Sequence, residues 1–153
     1  MAMPDLPLEG SCRCGAVRIR VTKPPLFTSV CHCHGCQKMS SSAYSLTAGF
    51  PADGFEVIEG EPVLGGVSKD CHYFCPSCMS WMFTRPPGVD FIVNVRPTML
   101  EDTAWFTPFM QTYTSTKLPW VSVETTYSYE EFPRMEDFQR LAGEFAGQSS
   151  AQG

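Results

Sequence analysis

The sequence has little positive charge and no long apolar segment. Its 11 Lys and Arg residues are outnumbered by 16 Asp and Glu residues, which leaves a net charge of −5. Without a basic excess, the chain is not expected to bind nucleic acid or an anionic membrane by general electrostatic attraction. No apolar run approaches the roughly 20 residues that a membrane-spanning helix needs. Residues 1–5 carry neither a basic flank nor an apolar stretch, so we expect no secretory signal and a cytoplasmic protein.

Room for long helices is also limited, because 13 Pro and 12 Gly residues are spread through the 153 residues. Short segments with a two-residue apolar period are common instead, as in residues 16–21. The sequence therefore predicts a mainly β fold. A short C-terminal helix is predicted where apolar residues recur at three- and four-residue intervals, at Met135, Phe138, Leu141, Ala142 and Phe145.

The length fits one domain. We expect an N-terminal extension over residues 1–7, a zinc-binding domain over residues 8–146, and a flexible tail over the small and polar residues 147–153. No domain linker or internal repeat interrupts the middle range.

The eight cysteines are clustered rather than spread out. They form a C-x-C, a C-x-C-x-x-C and a C-x-x-C motif, with one cysteine alone: Cys12 and Cys14; Cys31, Cys33 and Cys36; Cys75 and Cys78; and Cys71. In a chain without an export signal, such chelating spacing favours a metal over disulfides or free thiols. Closely spaced thiolates select zinc or an iron–sulfur cluster, and two-residue chelates from separate segments favour tetrahedral zinc.

Counting the ligands predicts two zinc sites. A complete four-sulfur set is structural, and we assign it to Cys12, Cys14, Cys75 and Cys78. Three protein ligands leave an open position, which is typical of a catalytic metal, and we assign that site to Cys31, Cys33 and Cys36. The alternative is that Cys71 supplies the fourth ligand and closes the second site, or that it is a small buried apolar residue.

The neighbouring histidines are expected outside the metal shells. His32 and His34 face away from the flanking cysteines if the segment is extended, and His72 is read as an ordinary strand residue. No Ser–His–acid arrangement and no glycine-rich phosphate loop is present in the sequence.

Three segments resemble the family of glutathione-dependent formaldehyde-activating enzymes, which includes the centromere protein V domain. The matching segments are Gly10-Ser11-Cys12-Arg13-Cys14-Gly15-Ala16-Val17, Cys31-His32-Cys33-His34-Gly35-Cys36-Gln37-Lys38 and Phe74-Cys75-Pro76-Ser77-Cys78, with Leu118-Pro119-Trp120-Val121 further downstream. The resemblance covers about residues 8–125 and implies a β-tent fold of small antiparallel sheets organised around zinc. It also implies the same division into a structural and a catalytic zinc site.

Two departures from the family pattern bear on the substrate rather than on the fold. Met79 follows the last C-x-x-C motif, where the family usually has glycine, and residues 108–112 stand where a histidine is frequent. A left-handed turn is less favourable at Met79 than at glycine.

Three thiolates would leave a zinc site with a formal charge of −1, which blunts its power to acidify water. Such a site is better suited to hold a substrate sulfur as the thiolate, which is a nucleophile towards an aldehyde carbon. The resemblance implies the matching activity, a carbon–sulfur lyase that makes or cleaves S-(hydroxymethyl)glutathione. The alternative is a non-catalytic binding module with two closed zinc sites.

The expected co-substrate is glutathione or a similar small thiol. Two zinc sites per chain are expected, and the second need not be fully occupied. Because glutathione carries carboxylates, we consider Lys38 and Arg13 as weak candidates to bind them. Aromatic residues that could wall the pocket are Tyr44, Trp105 and Trp120. No nucleic-acid or membrane partner is expected.

Overall fold

The computed structural model describes residues 3–67 and 71–152, with side chains described up to residue 149. This part of the chain forms eleven strands: β1 Leu8–Ser11, β2 Arg18–Val21, β3 Phe27–Cys31, β4 Ser45–Pro51, β5 Phe55–Glu59, β6 Val63–Gly65, β7 His72–Phe74, β8 Trp81–Thr84, β9 Ile92–Val95, β10 Met110–Thr112 and β11 Tyr127–Ser128. Two α-helices, α1 His34–Ser40 and α2 Phe138–Gln152, and four short 3-10 turns complete it. The prediction of a mainly β fold is confirmed.

The smaller sheet has three antiparallel strands in the order β1-β2-β5. Ile19 and Val21 of β2 point into the core, whereas Arg18 and Arg20 point outward, as the two-residue period predicts. The outward arginines form ion pairs with Glu9 and with acidic side chains of neighbouring segments.

The larger sheet has eight strands in the order β11-β10-β3-β4-β9-β8-β7-β6. Most of its neighbours are antiparallel, but β10 pairs in parallel with both β3 and β11. This sheet is therefore larger and more mixed than the expected small antiparallel sheets. Two parallel strands are joined by a long crossover connection, so the local sequence does not show which strands pair.

The two faces of the larger sheet differ in chemistry. Cross-strand partners share a face, and the pairs Ala48–Val95 and Phe50–Val93 define an apolar face that packs against the smaller sheet. The opposite face includes a row of polar or small partners, formed by the pairs Cys31–Ser45, Ser29–Thr47, Gly49–Asn94, Thr84–Asn94 and His72–Thr84. We call this row the polar face.

The two helices cover the second side of the sheet. Leu141 and Phe145 of α2 are buried and pack with Phe27 and Ile92, at one end of that side. Helix α1 contacts β4, and its Met39 side chain lies near His72, across Gly66. Helix α1 therefore lies next to the polar face of the larger sheet.

The C-terminal helix differs in extent from its prediction. Met135 belongs to a 3-10 turn and is exposed, and α2 begins at Phe138. The helix continues to Gln152, so most of the range assigned to a tail is helical, while Gly153 lies outside the described residues. None of the helices in the described ranges is long and apolar enough to cross a membrane.

Candidate metal centres

The first group of thiols joins the two sheets. Cys12 and Cys14 lie in the turn between β1 and β2, whereas Cys75 and Cys78 lie in the turn between β7 and β8. Their four sulfur atoms all lie within 4.8 Å of one another. The Sγ atoms of Cys12 and Cys14, and those of Cys14 and Cys75, are 3.7 Å apart. Zn–S bonds of about 2.3 Å in a tetrahedron place sulfurs about 3.8 Å apart, so the donors fit tetrahedral zinc.

Backbone N–H groups converge on the sulfurs of this first group. The Cys75 sulfur accepts hydrogen bonds from the amides of Ser77 and Cys78, each at 3.4 Å, and the Cys12 sulfur accepts one from Val17 at 3.4 Å. Hydrogen bonds from N–H groups stabilise the anionic form of a thiol, which is the form that binds a metal. The turn after Cys78 closes with Met79 at a φ of 60°, a left-handed conformation that glycine would adopt with less strain.

The second group of thiols lies at the corner between β3 and α1. Cys31 ends β3, Cys33 is the N-cap of α1 and Cys36 lies in its first turn. Their sulfurs all lie within 4.8 Å of one another. The Cys33 sulfur accepts a hydrogen bond from the Cys36 amide at 3.3 Å, so it caps the helix as a serine or aspartate oxygen commonly does. Half of the segment from Cys31 to Cys36 is thus helical, and the C-x-x-C spacing matches one helical turn.

The thiols of the second group are electrostatically coupled. A hydrogen bond from Cys36 lowers the pKa of the Cys31 thiol to about 5, and the same interaction raises the pKa of Cys36. The Ser45 hydroxyl, on the strand paired with Cys31, favours the thiolate form of Cys36. One thiolate therefore forms readily at this corner, and a second one needs a nearby cation to stabilise it.

Cys71 belongs to neither group. It is 3 % exposed and lies just before β7, where its carbonyl accepts a hydrogen bond from the Arg85 amide at 2.9 Å. Within the described residues, His, Cys, Asp and Glu side chains form these two groups of clustered metal donors and no third, and the second retains three members. The structure does not bring Cys71 to the second group as a fourth ligand.

The histidines beside the second group lie outside both sets of metal donors. His32 is fully buried, and its Nε2 lies 2.9 Å from the Gln111 side-chain oxygen. Because the Gln111 amide nitrogen donates to the Val123 carbonyl at 3.0 Å, its oxygen is the acceptor and His32 Nε2 is the donor. The His32 carbonyl accepts from the side chains of Gln37 and Thr116, which fixes the corner. His34 is exposed at the start of α1.

A pocket of about 520 Å³ lies between residues 42–46, which follow α1, and residues 120–122, and none of the clustered thiols lines it. Tyr44 and Trp120 line it, and Tyr44 also makes an edge-to-face contact with the His32 ring. Trp105 does not line it, because its ring is buried in the core, against Phe50 and Phe106. The complete lining is Ser42, Ala43, Tyr44, Leu46, Trp120, Val121 and Ser122.

The two candidate cations lie in different places. Lys38 is exposed on α1, two residues after Cys36. Arg13 is exposed between Cys12 and Cys14, where its amide donates to the Ser80 hydroxyl at 3.2 Å, so it belongs to the neighbourhood of the first group. Lys38 is the better placed of the two for a substrate at the second group, although neither lines the pocket.

The sequence-based candidates did not include Arg96, which is a buried cation on the polar face. Arg96 is 8 % exposed, and its guanidinium donates to the Leu46 carbonyl at 3.0 Å, the Thr47 hydroxyl at 2.8 Å and the Thr84 hydroxyl at 3.2 Å. Its carbon Cζ lies 4.0 Å from the centre of the Trp81 ring. The available signal was its position two residues after Asn94: Arg96 follows the last residue of β9 and continues the extended backbone, so it shares the face of Asn94.

His72 lies beside this cation. Its Nδ1 is 2.9 Å from the Thr84 hydroxyl, and burial together with the charge of Arg96 lowers the His72 pKa. Because the Thr84 oxygen already accepts from Arg96, its hydroxyl hydrogen is available to a neutral His72. His72 therefore helps to orient the hydroxyl that holds Arg96.

Comparisons with known proteins agree with the geometry. Residues 7–116 match the family model described as glutathione-dependent formaldehyde-activating enzyme. A Halomonas elongata protein, whose name provisionally describes it as a glutathione-dependent formaldehyde-activating enzyme, is 36 % identical over 87 residues. That match covers 50 % of this chain and 55 % of the relative, so this chain spans about half of the relative's length.

A solved structure shares the fold. The crystal structure of a Rhodobacter sphaeroides protein superimposes with a TM-score of 0.52 at 22 % identity, over 62 % of this chain and 89 % of the other. The family match extends over most of the chain and includes all seven cysteines of the two groups. The chain therefore belongs to the family of glutathione-dependent formaldehyde-activating enzymes.

Proposed function

We propose that the protein is a zinc-dependent carbon–sulfur lyase that forms or cleaves the adduct of a small thiol with an aldehyde. The observation that carries this proposal is the convergence of three thiols at the corner between β3 and α1, where the described residues bring no fourth side-chain ligand. The family name adds glutathione as the thiol and formaldehyde as the aldehyde.

The two groups of thiols have different proposed roles. Cys12, Cys14, Cys75 and Cys78 provide four donors for a structural zinc, which would join the two sheets. Cys31, Cys33 and Cys36 provide three donors for a second zinc with a position left for substrate. When bound there, zinc supplies a soft positive centre that keeps a coordinated thiol deprotonated at neutral pH.

The reaction needs no redox partner. A new C–S bond forms between the thiol sulfur and the aldehyde carbon, while the carbonyl π bond breaks and the oxygen takes the proton that the thiol loses. Cleavage is the reverse. The protein's contribution is to hold the sulfur and the aldehyde together in one orientation, and the pocket lined by Tyr44 and Trp120 is the proposed place for the rest of the thiol substrate. Lys38, exposed on α1, is the proposed contact for a substrate carboxylate.

The test combines metal content with turnover. We expect the wild-type protein to bind two zinc ions per chain and to exchange ¹³C-labelled formaldehyde with S-(hydroxymethyl)glutathione in an NMR assay. Cys33→Ser should bind one zinc ion and lose the exchange activity, because two thiolates and a hydroxyl are weak zinc ligands. Cys71→Ala is the matched control, since Cys71 lies in neither group.

Two outcomes would contradict the proposal. Activity that survives loss of the second zinc in Cys33→Ser would place the chemistry elsewhere. Two fully occupied zinc sites without any exchange, in the wild type and in Cys71→Ala, would favour the alternative of a non-catalytic binding module.

A further inference from the structure

Arg96 is a buried cation that has no carboxylate partner among the described residues. None of the ion pairs in the described ranges includes it, and its hydrogen-bond acceptors are neutral: the Leu46 carbonyl and the hydroxyls of Thr47 and Thr84. Its Nε is buried and makes no hydrogen bond to any described residue. Burying an unpaired charge is strongly unfavourable, so a counter-charge is expected close by.

The thiols of the second group are the negative groups that this cation faces. Arg96 is hydrogen-bonded to β4 at residues 46 and 47, and the preceding residue, Ser45, is the cross-strand partner of Cys31. The charges of Cys36 and Cys31 favour the protonated, positive form of Arg96 and oppose the effect of burial. The cation and the sulfurs therefore occupy the same polar face, on either side of β4.

The surroundings hold the guanidinium in place. The Trp81 ring stacks on one side of it at 4.0 Å, and the Thr84 hydroxyl is itself oriented by His72. Burial lowers the Arg96 pKa to about 10, which leaves the side chain charged at neutral pH. A fixed positive charge of this kind needs no rearrangement when negative charge is added at the neighbouring site.

We propose that Arg96 is a positioning residue that supplies the fixed counter-charge of the Cys31–Cys33–Cys36 site and so lets it accept a fourth, anionic sulfur ligand. The inference rests on the proposed metal site but not on any particular aldehyde. Three thiolates and one divalent cation carry a charge of −1, and a thiolate in the fourth position raises this to −2. With Arg96 alongside, these totals become 0 and −1. A neutral ligand such as water adds no charge to the site, so its binding should depend less on Arg96.

The competing role for Arg96 is to bind a substrate carboxylate directly. Its burial argues against this, since the guanidinium is committed to Leu46, Thr47 and Thr84, and Nε lies away from solvent. The two roles predict different responses to thiols with and without a carboxylate, and this difference is used in the test.

The test measures metal and thiol binding in the full chain. Co²⁺ replaces zinc, because its visible absorption reports the number of bound thiolates. The four-thiol group is an internal control, since it has no open position. The protein is titrated with 2-mercaptoethanol, which is neutral away from its sulfur, and with mercaptoacetate, which carries a carboxylate. The variants are Arg96→Gln, which removes the charge, Arg96→Lys, which retains it, and Arg85→Gln.

Arg85 is the matched control for loss of one arginine charge. Its guanidinium also lies over aromatic rings, those of Phe55 and Phe83 at 5.5 and 5.6 Å, but its side chain is exposed. We expect Arg85→Gln to behave like the wild type.

The proposal predicts that Arg96→Gln weakens binding of both thiols at the second site by about tenfold or more, and weakens metal binding there in the same direction. Arg96→Lys should restore both to within about threefold of the wild type. The four-thiol group should retain its metal in every variant. If Arg96→Gln does not fold, Arg96→Lys decides the question, because a loss of tenfold or more with the charge retained would show a structural role instead.

Other outcomes overturn the proposal in recognisable ways. A loss confined to mercaptoacetate would identify Arg96 as a carboxylate-binding residue, and unchanged binding of both thiols would remove its role. A wild-type protein without metal at Cys31, Cys33 and Cys36 would overturn the inference together with the proposed function. Metal-loaded wild type without formaldehyde exchange, but with the expected Arg96→Gln loss, would refute the proposed activity alone.

Discussion

Replacing Cys14 by serine tests whether a metal joins the two sheets. Cys14 is exposed, so the substitution itself disturbs little packing, yet its sulfur lies 3.7 Å from that of Cys75. The two residues are 61 positions apart, and a cross-link closing a loop of that length stabilises the folded state by about 4 kcal/mol in the chain-entropy model. This is a large part of the roughly 5–15 kcal/mol that stabilises a typical domain.

The expected result is a marked fall in thermal stability at low, buffered free zinc. In a domain of this size each kcal/mol shifts the Tm by about 2–4 °C, so Cys14→Ser should melt about 8–16 °C below the wild type. Circular dichroism at a fixed zinc concentration measures this shift. Wild-type protein treated with a zinc chelator should melt close to the variant, because both lack the same cross-link.

Cys33→Ser is the matched comparison for this experiment. It also replaces one thiol by a hydroxyl, but its group closes only the short segment from Cys31 to Cys36. Its Tm should fall by about half as much as that of Cys14→Ser, because the same model gives about 2 kcal/mol for a loop this short. A Cys14→Ser Tm within about 4 °C of the wild type, or a larger fall for Cys33→Ser, would refute the cross-link argument.

Three further predictions address the pocket, a close backbone contact and a surface ion pair. Trp120 is 76 % exposed and lines the pocket. Trp120→Ala should therefore change the unfolding free energy by less than about 0.5 kcal/mol but raise the KM for the adduct in exchange kinetics. An unchanged KM would show that Trp120 does not contact the substrate. A Cβ on Gly10 would lie 2.1 Å from the Met99 carbonyl oxygen, so Gly10→Ala should lose about 1–3 kcal/mol in urea unfolding, and a neutral effect would contradict that contact. A hydrogen bond from Arg20 is the main cause that lowers the Glu9 pKa. A carboxyl with a lowered pKa stabilises the fold above its unfolded-state pKa and loses that contribution as the pH falls. Glu9→Gln should therefore be less stable than the wild type near neutral pH, and the difference in unfolding free energy should vanish in acid. A difference that does not depend on pH would contradict this reasoning.

Local sequence was sufficient for features that depend on residues close together in the chain. The alternation over β2 predicted which of its side chains are buried, because side chains of a strand alternate between faces. The same holds for the spacing of Cys31, Cys33 and Cys36, which brings three sulfurs together within one strand end and one helical turn. The helix itself was missed, because seven residues with no buried side chain leave no apolar period to detect.

The sequence by itself determined the mainly β fold and the cysteine motifs that form groups of four and three thiols. Only the tertiary structure decided that β10 lies parallel to β3, that Cys71 stays apart from both groups of thiols, and that Arg96 lies on the polar face across β4 from Cys31. Each of these depends on strand pairing between distant segments. Such pairing is set by the total burial and hydrogen bonding of the sheet rather than by the residues that flank each position.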